Sequence, residues 1–180
     1  MWSNVVVITA LVLGVRFYGL ELLGHSVVGA SGPLDAPKAA ALTAHLEADR
    51  PLNRDEALVS ALAFTDKSLT FSLDHPTSFT FGTSVRPANC AEYSYLFAAA
   101  FDAAAKVAGS TARAYRVHSA DARIVGERIP FRGFGDRDWV LIFDPADRAR
   151  MYIDPAFHDY FLAASLSQNV KGGEAIEIPK

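Results

Sequence analysis

The sequence predicts an α+β protein in which N-terminal helices and a central helix pack on a small antiparallel sheet. Helical patterns come first along the chain, and alternating strand patterns follow after Gly109. A long apolar segment begins after Asn89 and is typical of a buried central helix. Two strand patterns separated by the turn residues 144–147, DPAD, predict a hairpin.

Composition limits the function classes. The chain has 180 residues, of which 51% are hydrophobic and 11% aromatic, so it is long and apolar enough for one domain with its own core. Its net charge of −3 argues against nucleic acid as a partner. A single cysteine excludes an intramolecular disulfide and a cysteine-rich zinc site. The histidines have no metal-ligand spacing and no phosphate-binding glycine loop is present, so neither a metal nor a cofactor is predicted.

Residues 1–30 are predicted as a hydrophobic N-terminal segment, and residues 31–180 as the domain. Residues 5–15, VVVITALVLGV, carry no charge, whereas Arg16 and Glu21 interrupt the pattern further on. Three interpretations stay open: a membrane anchor or uncleaved signal, a signal peptide cleaved after Ala30, and a buried core helix. The pattern favours a membrane-associated or exported protein over a cytoplasmic one.

Helix signals place three helices in the first two thirds of the domain. Asp35 is expected to cap a helix that extends to residue 47, and Asn53 a second helix that ends near residue 69. Residues 70–73 are predicted to be extended. Asn89 is expected to cap the central helix.

Strand signals follow that helix. The alternation predicts strands over 112–117, 121–127, 138–143 and 150–153, and the last two form the hairpin. A terminal helix over 157–166 and an edge strand over 174–178 complete the prediction.

The only cysteine, Cys90, directly follows the predicted cap Asn89. A thiol in the first turn of a helix faces unpaired backbone N–H groups and the positive end of the helix dipole, and both favour the reactive thiolate. The alternative interpretation is that Cys90 is a small buried apolar residue. Glu92, two residues further, is expected to stabilise the helix N-terminus rather than to transfer protons.

Four sequence blocks occur together in a recognisable order. They are ANCAEYSYLFA at 88–98, ARAYRV at 112–117, RDWVLI at 137–142 and MYIDPA at 151–156. In order and spacing they resemble the transglutaminase-like superfamily, whose core has the papain-like arrangement of nucleophile, base and orienting acid. The resemblance covers roughly residues 54–157.

The resemblance implies a chemistry for named residues. Cys90 matches the nucleophile, which attacks an amide or ester carbonyl of a peptide or protein. Asp154, followed by Pro155, matches the acid that orients the histidine base. Members of the family cleave, cross-link or only bind their targets, so the substrate is not implied.

The family histidine is replaced by Arg137, which stays protonated and cannot act as a general base. Either the activity is lost, or another group supplies the base. His118, at the end of the strand over 112–117, is a possible displaced base because that strand should return towards Cys90. Arg137 itself has two interpretations: a cation that ionises Cys90 or binds an anion, and a salt bridge to Asp154 or Asp138.

Three functional hypotheses therefore remain from the sequence. The first is a cysteine-dependent peptidase, amidase or acyltransferase that acts through Cys90. The second is a catalytically inactive transglutaminase-like domain, a pseudoenzyme that serves as a membrane-associated binding or scaffold module. The third is a protein of another fold in which the four blocks occur together by chance.

Overall fold

The computed structural model describes residues 20–124, 127–128, 136–156 and 170–172. These residues form helices and strands in an α+β arrangement. In chain order they are β1 (Leu20–Ala30), α1 (Ala36–Asp49), α2 (Arg54–Ser68), β2 (Leu69–Phe71), β3 (Arg86–Ala88), α3 (Cys90–Val107), β4 (Arg113–Ile124), β5 (Glu127–Arg128), β6 (Arg137–Asp144), β7 (Ala149–Ile153) and β8 (Val170–Gly172).

The main sheet has the strand order β7-β6-β4-β1-β8. The four strands from β7 to β1 are antiparallel neighbours, whereas β8 runs parallel to β1 and the short β5 pairs with β4. The register between β4 and β6 sets His118 opposite Asp138 and Ser119 opposite Arg137. Strands β4 and β6 are antiparallel neighbours, and the predicted hairpin of β6 and β7 is confirmed.

The central helix α3 forms the middle of the core. Its residues Leu96, Phe97 and Phe101 are completely buried, and they join Val140 and Ile142 of β6 in one hydrophobic cluster. A helix that is apolar on nearly every side must be covered on nearly every side, and here α2 covers one side and the sheet another. The predicted central position of this helix is confirmed.

The helix N-termini lie where their capping residues predict. Asp35 accepts a hydrogen bond from the backbone N–H of Lys38 in α1, and Asn53 accepts one from that of Glu56 in α2. Each bond satisfies a backbone donor that the helix itself leaves unpaired. Asp35 also accepts bonds from the backbone of Phe81 and Gly82, so it ties the segment before β3 to α1.

The main sheet differs from the prediction in three places. The predicted strands over 112–117 and 121–127 are mostly one continuous strand, β4, because the long β1 offers it partners over nearly its whole length. Strand β8 was not predicted. Residues 20–30, assigned to the N-terminal segment, pair with β4 as β1, so the sheet of the domain begins before the predicted boundary.

Other predictions fall outside the described part of the chain. These are residues 1–19 of the N-terminal segment, the terminal helix over 157–166 and the edge strand over 174–178. Among the described helices, none has the length and apolar character needed to cross a bilayer.

A partly buried carboxylate joins α3 to the sheet. Asp102 accepts a hydrogen bond from the backbone N–H of Ala114 in β4 at 2.9 Å and another from the hydroxyl of Ser31, just after β1. Burial raises the pKa of the Asp102 carboxyl above its ordinary value, although both hydrogen bonds act in the opposite direction. The folded protein therefore disfavours the charge that this carboxyl carries in water.

We expect Asp102→Asn to raise the free energy of unfolding at pH 7 by about 0.5–1.5 kcal/mol, because it removes the disfavoured charge. The amide oxygen can still accept from the backbone of Ala114, and the amide NH2 can donate to the hydroxyl of Ser31. Below about pH 4 the carboxyl is protonated in the folded and unfolded states alike, so the advantage should vanish there. The stability advantage of the variant should grow as the pH rises from about 4 through the raised pKa of Asp102 in the folded protein. Urea unfolding at several pH values measures the difference, and a variant that is less stable at pH 7 than at pH 4, relative to wild type, contradicts this prediction.

Candidate functional site

The residue Cys90 lies where a short parallel sheet meets the central helix. Strand β2 pairs with β3, and the backbone of Ser72 extends the ladder by donating to Ala88 at 2.8 Å. Asn89 then takes an extended conformation and caps α3 by accepting bonds from the backbone of Ala91 and Glu92. This arrangement directs the chain from β3 into the helix and sets Cys90 at its first position.

Glu92 has a larger structural role than the sequence indicates. It completes a capping box by accepting from the backbone N–H of Asn89 at 2.9 Å. Its completely buried carboxylate also binds Arg86 at 2.7 Å and the backbone N–H of Ser78 at 3.0 Å, with His75 Nδ1 at 3.6 Å. The predicted role at the helix N-terminus is confirmed, and the same carboxylate holds the segment that precedes β3.

The buried pair Arg137 and Asp154 forms the centre of the site. Arg137 is the first residue of β6 and Asp154 directly follows β7, so the two stand at the open end of the hairpin. The Arg137 Nε atom makes an ion pair with Asp154 Oδ2, and each residue is only 4% exposed. The guanidinium also lies over the rings of Phe71 at 5.7 Å and Trp139 at 6.0 Å. Of the interpretations of Arg137, the salt bridge to Asp154 is the one present.

The thiol of Cys90 lies within electrostatic reach of this pair. Burial raises its pKa above the ordinary value, and the charges of Asp138 and Asp154 act in the same direction. A hydrogen bond from the backbone of Asp138 and the charge of Arg137 lower the pKa, but they do not overcome burial. The helix position favours the thiolate, and the alternative interpretation is a small buried residue. In the folded protein desolvation of the sulfur outweighs the favourable groups, so the pKa of the Cys90 thiol is raised.

His118 lies beside the cluster rather than inside it. The strand register sets it opposite Asp138, whose carboxylate is 3.2 Å from His118 Nδ1. Its other ring nitrogen is 3.3 Å from the carboxylate of Asp136. No hydrogen bond or ionic contact joins His118 to Cys90 among the residues that the structure describes. Both ring nitrogens of His118 thus face carboxylates.

The structure therefore brings together Cys90, Arg137 and Asp154, and sets His118 at the edge of that cluster. Sequence reasoning missed the role of Asp138, whose backbone bonds the thiol and whose side chain pairs with His118. The register of β4 against β6 contains that information, because it sets residue 118 opposite residue 138. The position of Phe71 beneath Arg137 depends on packing between distant segments and has no sequence signal.

No cluster of three or more histidine, cysteine or acidic side chains suited to a metal ion occurs within residues 20–124, 127–128, 136–156 and 170–172. No protein-family model, no curated protein and no solved structure matches this chain. The transglutaminase-like resemblance therefore stays a prediction that depends on the four sequence blocks. The coarser α+β class is what the structure supports.

We expect Arg137→Met to lower the free energy of unfolding by about 3–5 kcal/mol, because it leaves the Asp154 carboxylate buried without its cation. The double variant Arg137→Met/Asp154→Leu should lie within about 1 kcal/mol of wild type, since apolar side chains often replace a buried ion pair without loss. Urea unfolding of wild type, both single variants and the double variant gives the coupling energy. Additive losses in the double variant would show that the two residues do not act as a pair.

Proposed function

We propose that this chain is a transglutaminase-like domain that lacks the catalytic activity of its family and acts as a binding module for a peptide or protein. The observation that carries the proposal is the buried ion pair of Arg137 with Asp154, which occupies the positions of the family base and its orienting acid. An arginine accepts no proton at neutral pH, so it cannot take the proton of the thiol.

The environment of Cys90 supports the same proposal. A cysteine nucleophile needs a lowered pKa or an adjacent base, whereas burial raises the pKa of Cys90. The thiol is then protonated at neutral pH, because the favourable charge of Arg137 is opposed by burial and by the charges of Asp138 and Asp154. Cys90 keeps partial solvent exposure, so a bound partner could still contact this part of the surface.

The membrane association of this module is part of the proposal and depends on residues 1–19 of the hydrophobic N-terminal segment, since residues 20–30 belong to the sheet. Residues 20–30 supply β1, which pairs with β4 at seven register positions from Leu20 to Val27 and at two more beyond a bulge. Removal of these residues by cleavage after Ala30 would expose the edge of β4, and this favours an uncleaved segment over a cleaved signal.

A second candidate function is amide-bond hydrolysis or acyl transfer with His118 as a displaced base. The observation that favours it is the pairing of His118 with Asp138, which resembles a base with its orienting acid. In this reaction the sulfur of Cys90 bonds to the carbonyl carbon, and the carbon–nitrogen bond breaks. The departing amine takes the proton that His118 received from the thiol, and water or a second amine then releases the acyl group.

The two candidates predict different thiol reactivity. For the binding module we expect iodoacetamide to alkylate Cys90 at pH 7 at least about threefold more slowly than free cysteine, because the thiolate fraction is smaller. The Cys90→Ala variant is the control for labelling at other residues. For the enzyme, Cys90 should be alkylated faster than free cysteine near pH 6, and the His118→Gln substitution should slow this alkylation. That outcome would contradict the binding proposal.

Restoring the family histidine gives a test with a gain of reactivity. The same number of bonds separates Cβ from Nε in arginine and from Nε2 in histidine. A histidine at position 137 can therefore reach Asp154. We expect Arg137→His to accelerate alkylation of Cys90 at pH 7 by about tenfold or more, since an imidazole beside the thiol can accept its proton.

The matched control for this variant is Arg113→His, which changes an exposed arginine of β4 in the same way. A folded Arg137→His variant that reacts no faster than the Arg113→His control would show that position 137 does not govern the thiol. Circular dichroism of both variants tests whether the fold is retained.

A further inference from the structure

Arg116 of β4 differs from most buried or partly buried arginines of the described chain, because no carboxylate pairs with it. Its Nε atom is buried and has no hydrogen-bond partner, although the side chain as a whole is only partly buried. Three other such arginines have carboxylate partners: Arg54 with Asp144, Arg86 with Glu92, and Arg137 with Asp154. The positive charge of Arg116 is therefore not neutralised by an ion pair within the described residues.

Two aromatic rings hold the guanidinium of Arg116 in place. It lies 4.9 Å from the ring centre of Tyr95 and 5.9 Å from that of Phe79, and these rings stack on each other at 4.7 Å. The hydroxyl of Tyr95 donates to the carbonyl of Pro33 at 2.9 Å, which fixes the ring. Stacking on ring faces orients a guanidinium but leaves the hydrogen-bond donors at its edge unused.

The backbone of β1 leaves room beside this edge. A bulge interrupts the pairing of β1 with β4 between Val27 and Gly29, and Gly29 lies opposite Arg116. A side chain at Gly29 would bring its Cβ within 3.4 Å of the Nη2 atom of Arg116, so the glycine keeps this end of the guanidinium uncovered. Bulges often occur beside functional sites, where they redirect a strand away from regular pairing.

One exposed apolar side chain borders the guanidinium, and a second belongs to the neighbouring bulge. Phe79 is 43% exposed although it stacks on Tyr95, and Val28 at the bulge is 51% exposed. An arginine with free donors beside exposed aromatic and aliphatic groups is suited to a ligand that carries one planar anion and an apolar neighbour.

We infer that Arg116, with Phe79 and the bulge at Val28, forms a binding site for a carboxylate of an acidic peptide segment that also carries an apolar residue. A carboxylate matches the planar fork of one guanidinium through two parallel hydrogen bonds. A phosphate group carries more charge and usually requires further cations. Within the described part of the chain, Arg116 is the one unpaired guanidinium that contacts these rings. The inference rests on the proposed binding function and names the chemistry of its partner.

Three peptides test the inference: acetyl-Phe-Glu-Gly-amide, acetyl-Phe-Gln-Gly-amide, and acetyl-Phe-Gln-Gly with a free C-terminal carboxylate. Each is titrated into the full chain, and ¹⁵N–¹H spectra follow the Nε–H signal of Arg116. We expect the peptide with the Glu side chain to bind at least about tenfold more tightly than the uncharged peptide, and to shift this signal. Tighter binding of the third peptide would instead identify a terminal carboxylate as the ligand, and would overturn the assignment to an acidic side chain.

Variants locate the site. Arg116→Gln should remove the preference for the charged peptide, whereas Arg113→Gln, an exposed arginine of the same strand, should leave it unchanged. Arg116→Lys keeps the charge without the planar fork and should retain only part of the preference. If the Arg116→Gln variant does not fold, the Arg116→Lys variant is compared with Arg113→Gln in its place. Equal binding of charged and uncharged peptides, or equal losses in Arg113→Gln and Arg116→Gln, would overturn the inference.

The same samples separate this inference from the proposed function. Mass spectrometry of the peptides after incubation detects cleavage or transfer. Binding at Arg116 together with turnover would refute the absence of catalysis while leaving the peptide site intact. No carboxylate-dependent binding together with an unreactive Cys90 would refute the peptide site and leave the loss of catalysis standing.

Discussion

The site depends on one buried ion pair, that of Arg137 with Asp154. The two charges stand at the open end of the β6–β7 hairpin, and each is almost completely removed from solvent. Removal of either partner would leave the other charge without compensation in a region of low polarity, which is costly. The pair therefore ties the ends of two strands together beside the N-terminus of α3.

The charges of this pair also act on the thiol of Cys90. A histidine at position 137 could exchange a proton with Cys90, but the arginine contributes only a charge, which the charges of Asp138 and Asp154 oppose. The favourable dipole of α3 and the bond from the backbone of Asp138 then act on a sulfur that is largely desolvated. Burial outweighs them, so the pKa of the Cys90 thiol is raised, and position 137 holds a cation rather than a proton acceptor.

Sequence reasoning predicted the parts of this protein that depend on local rules. The caps Asp35, Asn53 and Asn89 are single-residue signals, and the short apolar run at 139–143, WVLIF, identifies β6. What it missed depends on distant segments. The pattern of residues 20–30, LELLGHSVVGA, does not alternate regularly, because apolar residues stand side by side at 22–23 and 27–28. Only its pairing with β4 identifies it as a strand. The raised pKa of Cys90 depends on how the surrounding segments exclude water, which a helix position alone does not reveal.

The central claim is that Cys90 is a protonated thiol at neutral pH, and its titration tests this directly. Labelling of Cys90, the only cysteine, with ¹³C at Cβ allows its chemical shift to be followed from pH 5 to pH 11. We expect the midpoint of the Cys90 titration to lie above the value of about 8.5 for free cysteine. A midpoint below about 7, typical of activated cysteines, would contradict it.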